Sequence, residues 1–204
     1  HAARLLRPVN IVALVCDQGM DVIRNVYPRV GAETQPAAGA NQHGSVEKPT
    51  LVVSQKGRSQ IVLAAEIDTL VAEAARVNGV IEFVPQVGDF VATDEPLFKL
   101  YGRTATIDEE TLRECVAFGS ERTMEQDSMF SFRILVDIAL KALSPAINDP
   151  TTAVLALDQI HRLLRFVGKR RLHDEIVRDA AGQARLLLRT PNWDDFVHIA
   201  FTEI

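Results

Sequence analysis

The chain has only two cysteines, Cys16 and Cys115, among its 204 residues. Two thiols so far apart make neither a zinc spacing nor a disulfide framework. Both sit in apolar, helix-patterned surroundings, and a reducing, cytoplasmic setting is the simplest reading. Long hydrophobic runs are also missing. A bilayer span needs about 20 consecutive apolar residues, and the runs here are short, such as 11–16. Positive charge is not in excess, since 22 Lys and Arg stand against 27 Asp and Glu, a net charge of −5. That balance argues against a nucleic-acid partner, which needs a basic face. The one basic run, Lys169-Arg170-Arg171, reads as a solvated helix end. No P-loop, dinucleotide fingerprint, nucleophile elbow or internal repeat is found. No cofactor, no metal and no catalytic residue is therefore assigned.

What remains is a composition of 47% hydrophobic and 24% charged residues, that of a globular protein. The pattern predicts an α+β fold in four segments. Residues 1–30 form an N-terminal helix, periodic over 10–26 and framed by Pro8 and Pro28. Residues 31–49 are rich in Gly, Ala, Asn, Gln and Pro and read as a linker, with His43 as a solvent-exposed loop residue.

Residues 50–103 read as a small β module with strands at 51–54, 60–65, 80–84, 89–91 and 96–100. Asp68 caps a short helix among them, and Gly79 supplies its left-handed stop. The run Val87-Gly88-Asp89, followed by Val91 and Pro96-Leu97, resembles the hairpin of biotinyl- and lipoyl-type modules. The resemblance implies a small barrel. Those carriers need a Lys at an exposed hairpin tip after this run, and Leu100-Tyr101-Gly102-Arg103 follows instead. The module is thus expected to pack or dock and not to carry a cofactor, with Lys99 unmodified.

Residues 104–204 read as a helical subdomain with a C-terminal hairpin and helix. Asp108 or Thr106 caps a helical segment that continues through 111–118. Long helices are expected at 129–143 and 151–167, a hairpin at 175–179 and 184–190, and a last helix capped by Asn192. Between the two long helices lies Ser144-Pro145-Ala146-Ile147-Asn148-Asp149-Pro150, with Asp149 at the N-cap and Pro150 at the first helical position.

The run 121–127 (Glu-Arg-Thr-Met-Glu-Gln-Asp), the stretch 135–154 around the Ser-Pro joint, Asp158-Gln159-Ile160, and Pro191-Asn192-Trp193-Asp194-Asp195-Phe196 resemble the predicted bacterial membrane protein family called domain of unknown function 2254. The resemblance covers nearly the whole chain. It implies transmembrane helices ahead of the region matched here, so that the chain is similar to an extramembrane C-terminal part. Arg4 and Arg7 then suit the inner-face flank of a membrane helix. The expected location is the inner membrane, on its cytoplasmic side. The expected partners are the protein's own N-terminal transmembrane region and further copies of the chain.

Arg122, Glu125, Asp127, Asn148, Asp149, Thr151 and Thr152 are the candidate ligand-binding residues. One reading makes them structural, with Asp149 capping a helix and Arg122 pairing with Asp127 or Asp149. A second makes them a small-ligand or ion site, because a helix N-terminus attracts anions and Asn148, Asp149 and Thr151 offer oxygens to a cation. A third is acid–base catalysis on a small or lipid-derived substrate. His161 reads as partly buried and hydrogen-bonded, and Met124 and Met129 as core or interface filler.

Overall fold

The computed structural model describes residues 8–28, 48–102, 106–172 and 176–202. Arg4, Arg7, His43 and most of the expected linker lie outside them. The chain divides into two compact units. The first comprises His1–Glu33, Thr123–His173 and Pro191–Ile204, and the second Thr34–Arg122 and Asp174–Thr190. The fold is α+β. Among the described residues no helix is long and apolar enough to cross a membrane.

The first unit is helical. α1 spans Pro8–Val26, and its Val12, Val15, Cys16, Gly19 and Ile23 recur at helical spacing on the buried face. α4 (Phe130–Leu143) buries Phe132, Leu135, Val136 and Ala139. α5 (Pro150–Val167) buries Ala156, Ile160, Leu163, Leu164 and Val167. α6 (Trp193–Phe201) adds Phe196, Ile199 and Ala200. These side chains form one core, and each large one contributes about 1.5–3 kcal/mol by leaving water. Asn192 caps α6 through a full capping box with Asp195, as its sequence position predicts.

The second unit holds the strands. β1 (Leu51–Ser54), β3 (Val80–Phe83), β5 (Pro96–Tyr101), β7 (Ile176–Arg178) and β8 (Ala184–Leu188) form a sheet in the order β1-β5-β3-β8-β7. β2 (Gln60–Ala65), β4 (Phe90–Val91) and β6 (Val116–Gly119) form another, in the order β4-β2-β6. Both orders are linear, so no barrel closes among the described residues. α2 (Ile67–Arg76) and α3 (Glu109–Glu114) pack with the strands around Leu70, Ile81, Phe83, Phe98, Leu100 and Leu112. Along β3, Ile81 and Phe83 face this core. Glu82, of opposite side-chain direction, holds Lys99 of β5 in an ion pair at 3.1 Å. Lys99 therefore sits inside a strand and not at a hairpin tip.

Several details depart from the sequence expectations. The helical segment from Asp108 stops at Glu114, and Val116–Gly119 is a strand. Its Val and Phe favour a strand, and antiparallel pairing of Val116 with Ala65 and Phe118 with Val62 supplies the ladder. The C-terminal hairpin belongs to the sheet of the second unit, because β8 runs parallel to β3 with Ile81 opposite Leu186. α2 starts one residue before Asp68, after Glu66, which makes no side-chain cap bond. Asn78, at φ 52°, takes the left-handed position expected of Gly79. Its carboxamide oxygen accepts from Arg185 Nη1 at 3.0 Å, and Arg185 also pairs with Asp179 at 2.7 Å. One arginine thus ties the α2–β3 turn to the hairpin.

Candidate functional site

The joint between α4 and α5 is built from local hydrogen bonds. Ser144 ends α4, and its hydroxyl donates to the Lys141 carbonyl at 2.7 Å. The Ser144 carbonyl then accepts from Ile147 N at 3.1 Å and Asn148 N at 2.8 Å. Asp149 N returns to the Ala142 carbonyl at 2.8 Å. Carbonyls left open by the end of α4 are thereby satisfied. The chain makes this reversal through Asn148, at φ 48°, a conformation Asn tolerates better than most residues.

Asp149 caps α5. Its carboxylate accepts from the Thr152 hydroxyl and from Thr152 N, the latter at 3.1 Å. Those two bonds, the hydroxyl first, hold the carboxyl below the usual range. Pro150 occupies the first turn without wasting a donor.

A groove of about 250 Å³ opens beside this joint. α1 contributes Ile11 and Val12, α4 contributes Ile138, Lys141 and Ala142, and Ile147, Asp149 and Thr152 complete it. The two polar groups of the joint are already bonded to one another, so carbon dominates what the groove offers. Large apolar side chains are exposed on the same three elements and the joint: Val9, Ile11 and Leu14 on α1, Leu140 and Leu143 on α4, Ile147, and Val154 and Leu157 on α5.

The seven candidate residues do not converge. Asp127 lies ahead of α4, where its Oδ1 accepts from Met129 N at 3.1 Å and its carbonyl from Phe130 N at 3.3 Å. It is buried and opens the helix. Asp149 follows the other end of α4. Fourteen helical residues separate the two ends by about 21 Å. Asp149 and Thr152 meet, and both line the groove. Asn148, Thr151 and Glu125 are exposed. Arg122 is half-buried and belongs to the other unit. Among the described residues no group of three or more His, Cys, Asp or Glu is placed to hold a metal ion.

Sequence reasoning passed over Tyr27. It is fully buried, donates to the Pro191 carbonyl at 3.2 Å, shares a hydrogen bond with Ser128, and meets the Phe196 ring edge-on. Burial, the largest influence, pushes its phenol up to about 12. Nothing local in the sequence marks it, since its partners are more than 100 positions away. Met124 and Met129 are half-buried, and Met129 packs against the helical core. Cys16 and Cys115 are free, buried thiols, each raised chiefly by desolvation.

A family described as a predicted membrane protein, DUF2254, matches the chain over residues 1–204. Uncharacterised proteins of Mycobacterium tuberculosis and Mycobacterium bovis are each 39% identical over 89 residues, which is 44% of this chain and 17% of those proteins. The matched segment thus spans about a sixth of the relatives' length. No solved structure matches the chain.

Proposed function

We propose, on the premise that the chain belongs to the DUF2254 family of predicted membrane proteins, that it is an extramembrane assembly, sensing or gating domain of an integral membrane protein. It acts at the cytoplasmic face of the inner membrane, as a homo-oligomer, on a membrane part that conducts or transports. The observation that carries this reading is the apolar groove beside the α4–α5 joint, with eight large apolar side chains exposed on the elements around it. An apolar groove open at the surface is the kind of feature that marks interaction sites. An apolar helix from the protein's own membrane region is the occupant that suits a groove walled by Ile11, Ile138 and Ile147. The alternative, a ligand-binding or enzymatic site at Arg122, Asp127, Asn148 and Asp149, lacks a shared location because α4 keeps Asp127 and Asp149 apart.

The test is Ile11→Asp with Ile147→Asp in the full-length protein, since both line the groove. Both side chains are exposed, so the fold should survive. Assembly by light scattering and ion flux in liposomes should both fall, with the melting temperature of the protein little changed. Unchanged assembly and unchanged flux would remove the groove from the function.

A further inference from the structure

A second concavity of the helical unit has the opposite character. It measures about 350 Å³ and lies where α1 presents Met20 to α5. α5 lines it with Asp158, His161, Arg162, Arg165 and Phe166, and Lys169 closes the far end. We propose that this pocket binds a phosphate-bearing anion.

His161 and Arg165 lie one turn apart on α5, and Lys169 follows two residues past the end of the helix, lining the same pocket. Arg165 and Lys169 are like charges brought to one pocket, where they repel. A cation near the end of α5 suits the helix dipole, but that accounts for one of the two charges and not for both.

α1 supplies two carboxylates along this side, Asp17 and Asp21. Asp17 is taken by Arg162 at 3.0 Å, and Asp21 by Arg24. Arg162 is further engaged by Gln159 at 3.4 Å. The side chains of Arg165 and Lys169 make no ion pair and no hydrogen bond among the described residues. The pocket's one lining carboxylate, Asp158, lies two turns before Arg165. A chain with a net charge of −5 therefore keeps an uncompensated basic pocket.

Met20 and Phe166 are apolar and offer no acceptor to compete for these donors. Arg170 stacks over the Phe166 ring at 4.5 Å, adding positive charge at the rim, while Arg24, 5.7 Å from the same centroid, is held by Asp21. The planar Arg165 guanidinium can grip two phosphate oxygens at once, and Lys169 supplies a point charge. A phosphomonoester, inorganic phosphate and a phospholipid headgroup share the chemistry these groups recognise. The inference stands apart from the groove and does not depend on the membrane reading.

The experiment titrates inorganic phosphate into the full chain, followed by calorimetry and by the ring resonances of His161. A parallel arm measures sedimentation with vesicles of phosphatidylcholine alone and with added phosphatidic acid. The variant is Arg165→Gln with Lys169→Gln, and the control is Lys56→Gln in the other unit. Saturable phosphate binding that weakens about tenfold in the double variant, two charged contacts of modest size each, and not in the control, supports the site. Sedimentation with phosphatidic acid that the double variant abolishes and free phosphate competes assigns the site to lipid headgroups. Phosphate binding without vesicle binding assigns it to a soluble phosphate. Absence of both, or binding that the double variant leaves unchanged, overturns the proposal.

Discussion

Gly19 of α1 and Ser131 of α4 meet with no space for a methyl group between them. A Cβ added at Gly19 would lie 2.4 Å from Ser131 Oγ and 2.5 Å from Ser131 Cβ. The glycine that weakens the middle of α1 by local propensity is thus what lets α1 and α4 approach.

Gly19→Ala should accordingly destabilise the protein by about 2 kcal/mol, overpacking outweighing the better helix propensity of Ala. Ser131 Cβ is fixed to its helix, so the two helices must move apart. Ser131→Gly should restore part of the loss in the double variant. Ser131→Ala alone should be neutral or stabilising, because Ser131 Oγ is buried without a hydrogen-bond partner. Urea denaturation of the four proteins checks this. A Gly19→Ala variant more stable than wild type would contradict the close approach.

Asp149→Ala should lower the melting temperature by about 2–4 °C through the lost cap of α5. The pH dependence has a definite sign. The folded carboxyl is held below its usual value, first by the Thr152 hydroxyl and then by Thr152 N. Its contribution is therefore complete above the unfolded Asp value of about 3.9 and is lost as pH falls through the lower folded value. Asp149→Asn keeps a capping oxygen and removes the titration, so its acid slope should be shallower than that of wild type. Some slope will persist, since Asp108 and Asp179 are lowered too. An identical slope would place the capping carboxylate elsewhere.

The two tyrosines of the chain should both titrate late. Burial is the largest cause at each, and both phenols are pushed up to about 12. At Tyr101 the Glu82 carboxylate that accepts its hydroxyl adds to the effect. The folded state thus holds these protons more tightly than the unfolded one. The stability this represents is complete below the unfolded value of about 10 and is lost as pH rises through about 12. Tyrosinate absorbance should appear near 12 in native protein and near the ordinary value of about 10 in urea. A native transition at the ordinary value for either residue would count against its burial.

The elements that the sequence alone determines are those whose causes act within about four residues. α4 and α5 follow from helical periodicity, and the start of α5 from Asp149 and Pro150. The start of α6 follows from Asn192 and Asp195, which bond each other across one turn. Tertiary structure decided what required partners distant in the chain. Val116–Gly119 became a strand because β2 offered it a ladder, which the apolar run by itself does not reveal. The hairpin joined β3 through a parallel pairing that no local pattern encodes. Asp127 and Asp149, both singled out in sequence, were separated by the length of the helix between them. Tyr27, Gly19 and the basic pocket acquired their character only from what packs against them, since burial, close approach and uncompensated charge belong to neighbours in space and not to neighbours in sequence.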